Sequence, residues 1–129
     1  MTSSIYDLAC EVSAPAHARR WMAQRLRASL PDDPDTRRLV DDAVLCVSEL
    51  VTNALQAGCT AVTLRLDTDD RRVRLALIDD APGHPEPRRS GPRDLNGRGL
   101  MIIEAISSTW GVRPADTGKE VWVELGRTA

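Results

Sequence analysis

Phenylalanine is absent from this 129-residue chain, and Tyr6, Trp21, Trp110 and Trp122 are its only aromatic residues. A core built without Phe has to be aliphatic, Trp110 and Trp122 read as part of it, and a surface so poor in rings offers few platforms for stacking bases. Charge of one sign is missing too. Seventeen basic against 19 acidic residues leave a net charge of -2, so no overall field draws the chain to nucleic acid or to an anionic membrane. No stretch approaches the roughly 18 apolar residues of a membrane span. The opening segment, "MTSSIYDLACEVSAP", lacks the basic leader and apolar run of an export signal. The expectation is a cytoplasmic protein with no membrane and no direct nucleic-acid partner. Cysteine is scarce: Cys10, Cys46 and Cys59 are odd in number, have no CxxC spacing and sit in apolar-rich segments. That predicts reduced, buried thiols and neither a disulfide nor a metal site. The two histidines, His17 and His84, stand in no recognisable phospho-acceptor setting.

What is present is enough for one ordinary domain. Hydrophobic residues make up 42% and charged residues 28% of the chain, so residues 1–129 are expected to fold as a single globular domain with a real core. "SIYDLACEV" alternates loosely as a strand, and Ser13-Ala14-Pro15 suits a helix start with proline in the first turn. Ala18, Trp21, Met22, Leu26 and Leu30 then recur at helical spacing. "PDDPD" breaks that helix, and Asp33 or Asp35 can cap a second, which runs to about Ala57 with Gly58 as its stop. "TAVTLRLD" and "RVRLALID" read as a hairpin around "TDDR". A long polar loop, "DAPGHPEPRRSGPRDLNGRG", leads to a helix, "RGLMIIEAIS", a short strand, "STWGVRP", and a last strand, "KEVWVELG", with Val121, Val123 and Leu125 on one side. The order β-α-α-β-β-loop-α-β-β predicts an α+β, two-layer sandwich: a mixed, mostly antiparallel sheet with helices over one face.

In "SELVTNALQAG" the second helix carries Glu49 and Asn53 one turn apart. Val40, Ala43, Val44, Val47, Leu50, Val51, Ala54 and Leu55 form its apolar arc, and Glu49 and Asn53 fall on the opposite, polar arc. A solvated face accounts for such a pair. So does a cleft in which both side chains, about 40° apart around the axis, face one ligand. Asn supplies a neutral oxygen to a hard cation that takes its other ligands from phosphates and water. A carboxylate one turn earlier can accept a proton from an attacking hydroxyl. Downstream, Asp79 ends a strand and leads into a turn containing Gly83, a place where a carboxylate can meet an exocyclic amine while the backbone lets a flat ring approach. Gly97 and Gly99 in "NGRGL" put free N–H groups at a helix start, which suits an anion.

In this order the four elements resemble the GHKL ATPase superfamily, the Bergerat-fold group that includes histidine-kinase ATP domains, and most of all its small anti-sigma-factor serine/threonine kinases. "SELVTNAL" matches the N box, "DDAPG" and "GRGLMII" the two glycine boxes, and "WGVRPADTGKEVWVEL" the closing strand pair. The resemblance spans about residues 40 to 126. It implies that Asn53 coordinates a Mg2+ ion on the ATP phosphates, that Glu49 is the general base, and that Asp79 binds the adenine amine. It further implies that Gly83 gives the base room, that Gly97, Arg98, Gly99 and Leu100 hold the phosphates, and that residues 84–96, with Arg88, Arg89 and Arg93, form a lid. The implied function is a protein kinase that binds a sigma factor and phosphorylates a STAS-type antagonist, as a homodimer, with the first helix and its Arg19, Arg20, Arg25 and Arg27 as partner surface or as an ordinary charged face. Two departures, Ala81 for a glycine and Glu120 for a threonine, are expected to weaken the nucleotide pocket. A protein-interaction module on the same scaffold, without catalysis, is the alternative.

Overall fold

A register of alternating apolar residues organises the sheet, and two helices close its inner face. The computed structural model describes residues 2–82 and 98–126, with 98–100 by backbone alone. Its elements are β1 (Thr2–Ala9), α1 (Ala14–Ser29), α2 (Pro34–Gln56), β2 (Ala61–Thr68), β3 (Arg72–Asp79), α3 (Arg98–Ile106), β4 (Thr109–Pro114) and β5 (Lys119–Gly126). Among these strands the order across the sheet is β1-β2-β3-β5-β4, and each of the four pairings is antiparallel. The expected α+β sandwich is what forms, with no parallel pair among the described strands.

Val62, Leu64, Leu66, Val73, Leu75, Leu77, Val121, Val123 and Leu125 point to one face and are buried against Ala18, Met22 and Leu26 of α1 and Leu39, Val47, Leu50 and Val51 of α2. Each fully buried aliphatic side chain contributes about 1.5–3 kcal/mol relative to exposure, so this aliphatic interface supplies the stability that aromatic residues provide elsewhere. α2 begins as its sequence suggests. Asp33 accepts the Thr36 N–H at 2.8 Å as the N-cap, Pro34 sits in the first turn, and Gly58 ends the run in the left-handed region at φ +90. The β2–β3 turn is held by Asp69, whose carboxylate accepts the N–H groups of Arg71 and Arg72 at 2.8 and 2.9 Å. The Arg71 amide is the main reason the Asp69 carboxyl lies below its usual range.

Two expectations are corrected here. Cys10 and Cys59 are joined in a disulfide, with Cα atoms 5.9 Å apart. The antiparallel β1–β2 pairing brings them together, because Cys10 follows the end of β1 and Cys59 precedes the start of β2, and the Cys10 N–H continues the ladder to the Thr60 carbonyl at 3.0 Å. Only Cys46 is a free, buried thiol. Trp110 packs against the core, but Trp122 lies half-buried on the outer face of the sheet. There the Arg74 guanidinium stacks 4.4 Å from its ring centroid and Gly111 leaves it space, since a Cβ at 111 would stand 2.6 Å from the indole. Of the two readings of the Glu49/Asn53 pair, the solvated face does not hold for Glu49, which is 7% exposed. α2 packs against α1, the sheet and α3, which covers an arc wider than a single apolar stripe. Of the α1 arginines, Arg19 donates to Ser48 at 3.0 Å and Arg25 to Ser4 at 2.9 Å, so these two also tie α1 to its neighbours.

Candidate functional site

Alternation along β3 carries the site as directly as it carries the core. Val73, Leu75 and Leu77 face the helices, and two residues further on the same face receives Asp79, 2% exposed. β5 repeats the pattern in reverse: Leu125, Val123 and Val121 face inward, and so does Lys119, which lies opposite Asp79 in the register. The C-terminal half of α2 covers these strand ends. A cavity of about 40 Å³ among the described residues is lined by Leu50, Asn53, Ala54 and Ala57 of α2 and its C-cap, with Leu77, Asp79, Lys119 and Val121 from the sheet. Asn53 and Asp79, 26 residues apart in the chain, thus line one small cavity with mostly aliphatic walls, and Glu49 sits one helical turn before Asn53.

Among the described residues, two groups hold the Asp79 carboxylate. Its Oδ1 accepts the Ala81 N–H at 3.0 Å, a turn in which the side chain bonds the backbone two residues on. The Lys119 ammonium lies 3.3 Å from Oδ1 and 3.1 Å from Oδ2. Ala81 is itself buried, and its contribution is the backbone donor that orients Asp79. Glu120, expected to weaken the pocket by standing where the family has a threonine near the adenine, points to the other face of the sheet, where it pairs with Arg113. That expectation is therefore overturned by register: in a strand whose inward residues are Lys119 and Val121, residue 120 faces away.

Asp80 braces the same corner by accepting from the Thr60 hydroxyl, the Thr60 N–H at 2.7 Å and the Ala61 N–H at 3.2 Å. The Thr60 hydroxyl is the largest cause holding the Asp80 carboxyl below its usual range. Gly118 is required by contact, since a Cβ there would lie 2.0 Å from the Asp79 carbonyl oxygen. Beside Glu49 on α2, burial pushes the Cys46 thiol up to about 12, with the charges of Asp42 and Glu49 adding to the effect. Cys46 therefore stays a neutral thiol and is no nucleophile at neutral pH.

Sequence reasoning missed Lys119 and Gly118. The signal for Lys119 was present, because the inward set Val121, Val123 and Leu125 extends back by two to residue 119. Gly83, Gly97 and the lid at 84–96 lie outside the described residues. Arg98, Gly99 and Leu100 open α3. A larger cavity of about 470 Å³, lined among others by Arg27, Thr36 and Arg37 at the α1–α2 junction, contains none of the sequence-predicted site residues.

Residues 10–125 match the family described as Histidine kinase-like ATPase domain. The chain belongs to this family. Its fold is also similar to a solved structure described as the RsbU and RsbW domains of Rv1364c from Mycobacterium tuberculosis, with a TM-score of 0.69 at 20% identity, covering 100% of this chain and 33% of that one. At that identity the likeness is one of fold, and this chain spans about a third of the length of its neighbour. No curated protein matches the chain.

Proposed function

We propose that residues 1–129 form one ATP-binding domain that acts as an anti-sigma-factor-like serine/threonine protein kinase. It would bind a sigma factor and phosphorylate a STAS-type antagonist in the cytoplasm, as a homodimer. The single observation that carries the ATP reading is that Asn53 and Asp79 line one cavity with a buried carboxylate, Glu49, one turn away.

Asp79 takes the adenine amine. Glu49 accepts the proton of a serine or threonine hydroxyl as its oxygen attacks the γ-phosphorus, and the bond to the β–γ bridging oxygen breaks, leaving ADP. In this reading Gly83 would give the base room, and Gly97, Arg98, Gly99 and Leu100 would hold the phosphates. The described residues contain no cluster of three or more His, Cys, Asp or Glu able to hold a metal by itself. In this reading the Asn53 side-chain oxygen would hold a Mg2+ ion, which would neutralise phosphate charge when bound.

Calorimetry with Mg2+-ATP on the wild type and Asn53→Ala, with phosphate transfer to a serine-bearing partner on Glu49→Gln, tests the proposal. Asn53→Ala should weaken binding at least tenfold, and Glu49→Gln should bind ATP while losing transfer by about 100-fold or more. Transfer unaffected in Glu49→Gln would remove the general base. ATP binding without transfer in the wild type would leave a protein-interaction module.

A further inference from the structure

Lys119 is the only lysine in a chain with 17 basic residues, the other 16 being arginine, and it stands at the carboxylate proposed to read the base. An ion pair that merely neutralised Asp79 would serve as well with arginine, whose fork matches a carboxylate at two points. The hydrogen-bond count at this pair is informative. Each carboxylate oxygen has two acceptor positions. At Oδ1, both are taken, by the Ala81 N–H and by Lys119. At Oδ2 the close partner among the described residues is Lys119, at 3.1 Å, so among them one position is open. The ammonium has three donors, and its partner among the described residues is this carboxylate. The pair therefore offers one open acceptor beside a donor, facing the cavity that Asn53 also lines.

We infer that Lys119 is a base-specificity residue: its ammonium donates to the ring nitrogen adjoining the amine of a 6-aminopurine while Asp79 Oδ2 accepts that amine. The inference rests on the ATP reading above and adds the residue that completes base recognition. The Asp79 side chain is 1% exposed and that of Lys119 22%, so the ammonium covers the carboxylate and must pivot on its flexible stem to admit the amine. One motion then exposes the acceptor and presents the donor. A 6-oxopurine with a 2-amino group fits less well, since it brings two adjacent donors to a single open acceptor position and leaves one unpaired.

The test compares ATP with its 1-deaza and 7-deaza analogues and with GTP, by calorimetry on the wild type and Lys119→Met. In parallel, selective 15N labelling of lysine reports Lys119 as the single side-chain signal of the wild type. One deaza analogue should bind about tenfold or more weaker than ATP, the size expected for a lost hydrogen bond to a charged group, and Lys119→Met should bind ATP and that analogue alike. GTP should bind about tenfold or more weaker than ATP, and the Lys119 signal should shift on saturation with ATP. Equal binding of ATP and both deaza analogues by the wild type, GTP as tight as ATP, or an unmoved lysine signal overturns the role of Lys119 while leaving the ATP reading standing. The wild-type measurements decide this even if Lys119→Met fails to fold. Absence of binding by every nucleotide overturns both.

Discussion

Reduction of the Cys10–Cys59 disulfide should cost this domain a large part of its stability. The bond joins residues 49 apart in sequence, and closing a loop of that length lowers the entropy of the unfolded chain by about 14 cal/mol/K, or about 4 kcal/mol at 25 °C. For a domain of this size that corresponds to a fall in Tm of roughly 10–20 °C. The loss should be close to the full entropic figure, because the native state keeps much of what surrounds the bond. The β1–β2 ladder runs from Thr2↔Thr68 to Ala9↔Ala61 without it, and the Cys10 amide already bonds Thr60. Thermal and urea unfolding with and without reductant, alongside Cys10→Ser/Cys59→Ser, measures it. The double variant should match the reduced wild type and should not respond to reductant. A Tm unchanged on reduction would refute the loop-closure argument.

Gly118→Ala should destabilise the domain by at least about 1–3 kcal/mol, the ordinary range for overpacking, because its Cβ would meet the Asp79 carbonyl at 2.0 Å. The same displacement should weaken nucleotide binding, and a wild-type melting curve with unaltered ATP affinity would contradict it. Cys46 makes stability depend on alkaline pH. Its folded-state value of about 12 lies above the ordinary 9.0, so the unfolded chain loses the thiol proton first. The contribution is complete below pH 9 and is lost as pH rises toward 12, with a slope approaching about 1.4 kcal/mol per pH unit. Urea unfolding between pH 8 and 11 should show that slope in the wild type and lose it in Cys46→Ala. Thiol-reactive labelling of the oxidised protein at pH 8 should proceed only as the chain opens.

Periodicity made most of the fold legible. The two helices over one face, the "TDDR" hairpin and the inward set of β5 follow from spacing, and Asp33 and Gly58 follow from capping chemistry. The disulfide was not legible, because proximity of Cys10 and Cys59 depends on β1 pairing with β2, and no local spacing encodes a contact across 49 residues. Trp122 was misplaced for a related reason. Large aromatic residues are usually assigned inward, yet it occupies the outward phase of β5, where Gly111 and Arg74 make room and a partner for it. For the candidate site, Glu49, Asn53 and Asp79 were singled out by their chemistry in sequence, and the fold brings Asn53 and Asp79 to one cavity. Glu120 was put in the pocket when its strand phase turns it away.

Strand phase also explains why Lys119 matters more than Glu120. A polar residue at an outward position has water or a surface partner available, as Glu120 has in Arg113, and implies little. At an inward position it replaces an aliphatic side chain and must find its hydrogen bonds inside, which is costly unless they are supplied. Asp79 and Lys119 both stand at inward phases, at the ends of otherwise apolar runs, directly opposite each other. Two apolar residues there would extend the core and seal the gap between α2 and the sheet. The charged pair instead places a donor and an acceptor among the aliphatic residues of that cavity, which Asn53 also lines.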